Sequence, residues 1–159
     1  MRLSGKKALM IGAATGIGRA AAVQFVDNGA DIVIADINLP AAEETIASLA
    51  RSGRHASAVT CDVRDEASVR DAVSTAASQM GGIDTLVFFA GLQKLGHAEQ
   101  FAATDWDAVF DVNARGTFLA TKYAVPFIRR AGGGSVITTS SLAGLRGAPG
   151  MTGYAAAKG

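Results

Sequence analysis

Tyr154 stands thirteen residues after Ser141 and four before Lys158. Positions i and i+4 project from one helix face, so the two side chains are neighbours if the stretch is helical. A lysine ammonium beside a tyrosine favours the phenolate, which gives a proton donor and acceptor usable near neutral pH. Such a pair also occurs on ordinary solvated helix surfaces. Ser141 strengthens the chemical reading, because it ends a β-branched run, Val136-Ile137-Thr138-Thr139, where its hydroxyl can hold a substrate oxygen. Ser140 beside it points to the other side of the strand. Asn113 falls in mid-helix, where asparagine is unfavourable and asks for a reason beyond a place on the helix surface.

A second group of residues could hold a phosphate. Gly12, Gly16 and Gly18 follow the apolar run Ala8 to Ile11 and open into an apolar helical pattern. A strand, a glycine turn and a helix start make a cradle in which amide groups and the helix dipole face an anion. Asp36 lies eighteen residues beyond Gly18, after the apolar stretch Ile32 to Ala35. A carboxylate there accepts both hydroxyls of an adenosine ribose and repels a 2′-phosphate, which favours NAD over NADP. Asp62 follows a third apolar run and could reach an adenine amino group. Its alternative is a helix cap, for which Asp65 and Arg64 are closer to the next helix.

These residues need a frame. Lys6 to Gly12, Asp31 to Asp36, Ala56 to Cys61, Ile83 to Phe89 and Ser135 to Ser140 read as strands. The densest apolar run makes the fourth of these central. Gly16 to Asn28, Ala41 to Arg51, Asp65 to Met80 and Asp105 to about Arg130 read as helices, with Pro40 in the first turn of the second. In the first helix Ile17, Ala20, Ala21, Gln24 and Phe25 share a face. In the third Val69, Ala72, Val73 and Ala76 do. Thr104 and Asp107 resemble a capping box, and Pro126 is expected to kink the long helix. Leu142 to Gly153 reads as irregular, with a helix starting at Tyr154. Alternating strands and helices predict one α/β domain over residues 1–159, a Rossmann-type, doubly wound parallel sheet. Ligands bind such a sheet at its C-terminal strand ends. The glycine loop, Asp36, Asp62, Ala90-Gly91 and Ser140-Ser141 all fall on that rim.

Composition excludes several function classes. Of 159 residues, 49% are hydrophobic and 18% charged, the balance of a globular domain. The formal net charge is +1, which provides no basic excess for nucleic acid or for a membrane surface. No apolar run reaches the roughly eighteen residues of a membrane span. Met1 to Lys7 lacks the apolar core of a signal peptide. With one cysteine, Cys61, no intrachain disulfide forms, and a reducing cytoplasmic setting is the simplest expectation. Cys61 is expected to be a small core residue, and His55 and His97 exposed loop residues. Cysteine and histidine are too few for a standard zinc site, so no metal is expected.

Taken together, Gly12-x-x-x-Gly16-x-Gly18, Asp62-Val63, Ala90-Gly91, Asn113, Ser141 and Tyr154-x-x-x-Lys158 resemble the short-chain dehydrogenase/reductase family, in order and along the whole chain. The resemblance implies a catalytic tetrad of Asn113, Ser141, Tyr154 and Lys158. Tyr154 would exchange a proton with the substrate oxygen, Ser141 would orient it, Lys158 would hold the nicotinamide ribose, and Asn113 would hold a relaying water. It implies NAD as cofactor, held by Gly12, Ala14, Thr15, Gly16, Ile17, Gly18, Asp36, Ile37, Asp62, Val63, Ala90, Gly91, Tyr154 and Lys158. The substrate would be a small secondary alcohol or ketone, in a pocket walled by Leu92 to Gly96 and Leu142 to Gly153. Leu142, Leu145 and Met151 suggest a moderately hydrophobic one, with polyol, steroid and acyl substrates open. The full-length protein would be a homo-oligomer, joined through the helix after Asp105, near whose start Trp106 reads as a packing or interface residue, and through the helix that carries Tyr154 and Lys158.

Three features depart from the family pattern. Ile11 stands where a threonine is usual, Phe88-Phe89 where Asn-Asn is usual, and the chain stops where the family continues. The sheet is therefore expected to be incomplete on its C-terminal side, with an exposed fifth strand and barely one helical turn carrying Tyr154 and Lys158. The competing expectation is a truncated nucleotide-binding remnant without catalysis.

Overall fold

The structure, a computed structural model, describes residues 1–49 and 53–159. Strands β1 (Lys7–Ile11), β2 (Asp31–Asp36), β3 (Ala56–Thr60), β4 (Thr85–Phe88) and β5 (Ser135–Thr138) form a parallel sheet in the order β3-β2-β1-β4-β5. Helices α1 (Gly16–Asp27), α2 (Leu39–Leu49) and α3 (Glu66–Met80) connect the first four strands. Helix α4 (Ala103–Phe110), a π-turn (Asp111–Arg115) and α5 (Gly116–Arg130) lead from β4 to β5. Two short helices follow, α6 (Leu142–Leu145) and α7 (Thr152–Lys158). The chain winds from β1 outward to β3, then returns to the other side of β1 with β4. This is the Rossmann-type, doubly wound order, with its switch point between β1 and β4.

Strand alternation builds two cores. Leu9 and Ile11 of β1 and Val33 and Ala35 of β2 pack with α3 and α5, through residues such as Val69, Val73, Leu119 and Ala124. Ala8, Met10, Ile32 and Ile34 pack on the opposite face with Ala22 and Val26 of α1 and Ala42 of α2. Burial on both faces explains why these strands read as unbroken apolar runs. The β5 edge is exposed along its length, as expected.

Several elements differ from expectation for identifiable reasons. Helix α1 packs through Gly18, Ala22 and Val26, whereas Ile17, Ala20 and Gln24 are exposed. A helix lies closest to a sheet through its smallest residues, which a hydrophobicity pattern does not weight. Strand β4 is interior, but β1 takes the middle of the sheet. Helix α4 starts at Ala103 after an Ala102 cap that has no side-chain bond, so Thr104 and Asp107 lie inside it and form no capping box. Asp65 caps α3 by accepting from Ala67 N at 2.9 Å. Helix α5 runs through Pro126. Helix α7 starts at Thr152 and has seven residues, nearly two turns. Ala50 and Arg51, the expected end of the second helix, lie outside the described residues.

Cys61 is buried in the core, as expected, and His55 and His97 are exposed. Burial, reinforced by Asp62 and Asp36, pushes the Cys61 thiol up from 9.0 to about 12. The folded chain thus holds this proton more tightly than the unfolded one. The corresponding stability is complete below pH 9 and is lost as pH rises through 12. Native chain at mildly alkaline pH is expected to resist a thiol-labelling reagent that modifies the urea-unfolded chain within minutes. Equal labelling rates in the two states would contradict this burial. No helix among the described residues is long and apolar enough to cross a membrane.

Candidate active site

Because the strands are parallel, their C-terminal ends share one rim, and the loops leaving them surround a cleft of about 530 Å³. Gly12, Thr15, Ile17, Gly18, Asp36, Ile37, Asp62, Val63, Ala90 and Gly91 line it. Ala14 and Gly16 belong to the same turn without lining the cleft. Leu92, expected as a wall of the pocket, lines it as well, whereas Arg64, Val112 and Thr139 line it without having been expected to. Arg64 adjoins the Asp62-Val63 pair, and that adjacency is the only signal for it in the sequence.

The glycine turn is shaped by close approach. Gly12 has φ of +77° and lies so near the Ala90 backbone that a Cβ has no room there. Its N–H donates to Ala35 O at 2.8 Å, and Ala90 N donates to Ile11 O at 3.2 Å. A Cβ on Gly18 would stand 2.6 Å from both Ala13 Cα and Gly12 O, so α1 packs directly on the turn. Thr15, at the N-cap of α1, makes no side-chain capping bond. The helix therefore presents its positive end, without a side-chain cap, beside the cleft. Ile11 fills the core beneath, fully buried.

Asp36 ends β2 with Oδ2 accepting from Ala14 N and Oδ1 from Asn38 N, both at 3.0 Å. These bonds aim the carboxylate at the glycine turn and leave each oxygen a further acceptor site. Asp62 does not cap α3. Its carboxylate accepts Arg64 Nε at 2.9 Å, Nη2 at 2.7 Å and the Arg64 backbone N–H at 3.0 Å. The Arg64 side-chain bonds hold the Asp62 carboxyl below the usual carboxylate range. The apolar side chains of Ile17 and Ile37 are mostly exposed at the cleft mouth.

The far end of the cleft, at Gly91, lies beside Asn113 and Lys158; Asn113, Ser141, Tyr154 and Lys158 themselves do not line the cleft. Lys158 Nζ donates to Thr139 O at 2.8 Å and lies 5.9 Å from the centre of the Tyr154 ring. Burial lowers the Lys158 ammonium below the ordinary lysine range. Gly91 sits between Asn113 and Lys158: a Cβ there would be 3.2 Å from Asn113 Oδ1 and 3.8 Å from Lys158 Nζ. Asn113 is buried, and its Nδ2 donates to Leu92 O at 2.7 Å and to Val109 O at 2.9 Å. The second bond captures the carbonyl that Asn113 N–H would take in a regular helix. This accounts for the π-turn and places the break in the long helix at Asn113 rather than at Pro126. Ser141 caps α6, its Oγ accepting from Ala143 N at 3.2 Å. Ser140 Oγ donates to Lys158 O at 2.8 Å, and Gly144 has no room for a Cβ against that carbonyl, so α6 is seated on the end of α7.

The phenylalanines that depart from the family pattern have distinct places. Phe88 fills the core, its ring against Gly116, and Phe89 lines the cleft. A side-chain bridge from the β5 end to β4 comes from Thr139, whose hydroxyl donates to Phe88 O at 2.8 Å.

The family model described as short chain dehydrogenase matches residues 6–159. The chain is 40% identical over 159 residues to the uncharacterized oxidoreductase YxbG of Bacillus subtilis, covering 99% of this chain and 58% of that protein. It is 37% identical over 157 residues to 2,5-dichloro-2,5-cyclohexadiene-1,4-diol dehydrogenase LinX of Sphingobium indicum, covering 99% of this chain and 63% of the relative. A solved structure of NAD+-bound xylitol dehydrogenase superposes with a TM-score of 0.95 at 30% identity, covering 99% of this chain and 61% of the other. The chain thus spans about three fifths of the length of these relatives.

Proposed function

The chain belongs to the short-chain dehydrogenase family, and from that premise we propose that it serves an NAD-dependent oxidoreductase acting on a secondary alcohol or ketone. The observation that carries this proposal is one cleft with a carboxylate-bearing end at Asp36 and a second end at Gly91, where Asn113 and Lys158 converge. The residues fit the dinucleotide. Gly12 and Gly18 bring backbone rather than side chains to the cleft, and α1 presents its N-terminus without a side-chain cap. Ile17 and Ile37 offer apolar contact at the mouth, and Asp36 keeps acceptor sites for two ribose hydroxyls. The NAD+-bound neighbour supports the same cofactor.

The nicotinamide supplies the carbon that gives or takes the hydride. The chain supplies the rest. Tyr154 exchanges a proton with the substrate oxygen. Ser141 Oγ accepts from Ala143 N, which leaves its hydroxyl hydrogen free to orient that oxygen. Lys158 spends one N–H on Thr139 O and keeps two for the nicotinamide ribose, while its charge favours the Tyr154 phenolate. Asn113 is fixed by Leu92 and Val109 and holds a water beside Gly91 for proton relay. Exposed Phe118 and Trp106, the latter stacked on Phe110, support self-association through α4 and α5.

Titrating the chain with NADH while following nicotinamide fluorescence tests binding. Adding secondary alcohols with NAD while following nicotinamide absorbance tests turnover. No NADH binding would refute the cofactor assignment, and binding without turnover would favour a nucleotide-binding module. Asp36→Ala is expected to weaken NADH roughly tenfold or more, the value of hydrogen bonds to a charged group, and to raise relative NADPH affinity. An unchanged ratio of the two affinities would refute the role of Asp36.

A further inference from the structure

We propose that Thr139 is a positioning residue: its hydroxyl fixes the end of β5, and its carbonyl, so fixed, places the Lys158 ammonium at the far end of the cleft. This rests on the dinucleotide assignment above, which gives Lys158 the nicotinamide ribose. Lys158 is held at both ends by two consecutive residues that leave β5. Thr139 O accepts from Nζ at 2.8 Å, and Ser140 Oγ donates to Lys158 O at 2.8 Å. Among the described residues, the bond to Thr139 O is the only hydrogen bond that Nζ makes. A lysine stem samples many rotamers when its ammonium is untied. The ammonium therefore stands where the end of β5 puts it.

What fixes that end is a side chain. The other three strand pairs close on a backbone bond just past their last paired residues. Gly12 N donates to Ala35 O at 2.8 Å, Phe89 N to Ile11 O at 2.8 Å, and Cys61 N to Asp36 O at 3.0 Å. The β4–β5 ladder ends at Phe88 and Thr138, and there Phe88 O is met by the Thr139 hydroxyl at 2.8 Å. Phe88 and Phe89 bring no polar side chain to this boundary. Strand β5 is also an edge of the described sheet and is exposed along its length. With one neighbouring strand and little burial, its end depends on each bond to β4. The β-branch of threonine stiffens χ1, which keeps the hydroxyl aimed at Phe88 O. One residue thus joins β4 through its side chain to α7 through its carbonyl. Thr139 itself lines the cleft, so direct contact with the cofactor is the competing role.

The test measures NADH affinity by nicotinamide fluorescence on the whole chain, with the melting temperature taken alongside in the absence of dinucleotide. Thr139→Val keeps the shape and the β-branch and removes the hydroxyl. It is expected to weaken NADH about tenfold, the lower end of what a hydrogen bond to a charged group contributes. Thr139→Ser keeps the hydroxyl and is expected to bind NADH as the unmodified chain does. Lys158→Ala is expected to weaken NADH at least as much as Thr139→Val. Adding Thr139→Val to Lys158→Ala is then expected to cost nothing further, because residues that act through one contact are not additive. Losses that add in the double variant would overturn action through Lys158 and give Thr139 a cofactor contact of its own. Unchanged NADH affinity in Thr139→Val would overturn the positioning role even where the melting temperature falls. A loss of about tenfold in Thr139→Ser would overturn the part given to the hydroxyl, whether or not Thr139→Val folds. No NADH binding by the unmodified chain would overturn the dinucleotide assignment itself.

Discussion

Tyr154→Phe is expected to lower turnover by about 10²–10⁴-fold, the range for losing a positioned general acid–base, with the melting temperature unchanged. The substitution removes one oxygen and keeps the ring. Among the described residues no hydrogen bond holds the Tyr154 hydroxyl, so its loss leaves no partner stranded. The frame around it also stays. Thr152 Oγ1 donates to Gly96 O at 2.9 Å, Gly96 N donates to Gly150 O at 2.8 Å, and the Phe101 ring packs against Gly153. These contacts seat α7 against the loop after β4 without using the phenol. A structural role would therefore move the melting temperature, and a chemical role would move kcat alone. Turnover within a few-fold of the original, at equal NADH affinity, would sink the assignment of proton transfer to Tyr154.

The i, i+4 spacing of Tyr154 and Lys158 was readable because helical geometry is periodic and local. Asn113 was readable as a misfit, but its effect was not. Its amide captures the Val109 carbonyl and shifts the helix ladder by one residue, and no periodicity in the side chains encodes a π-turn. Arg64 was invisible for a related reason: its fork onto Asp62 depends on a turn geometry that composition does not specify. The α1 face was misread because Gly18 and Ala22 pack by being small rather than apolar. Thr139 shows the same limit. It reads as one more β-branched strand residue, yet its hydroxyl joins β5 to β4 and its carbonyl takes the Lys158 ammonium.

The two positive-φ glycines of the cofactor turn separate backbone conformation from close approach, and substituting each with alanine is expected to give unequal losses. Gly16 has φ of +57°, and an added Cβ meets nothing within 4 Å. Gly16→Ala thus carries only the left-handed strain of about 1–2 kcal/mol, partly offset by a stiffer unfolded chain. Gly12 carries the same strain at φ of +77°, and its Cβ would also collide with the Ala90 backbone. Backbone does not step aside as a side chain does, so overpacking adds about 1–3 kcal/mol, for a total of roughly 3. Relief of that collision displaces Ala90, and with it Gly91, which sits between Asn113 and Lys158. Gly12→Ala should therefore lower the urea midpoint about twice as far as Gly16→Ala at constant slope, and should lower turnover more than its stability loss explains. Equal midpoint shifts for the two variants would show that the approach of Gly12 to Ala90 does not limit the turn.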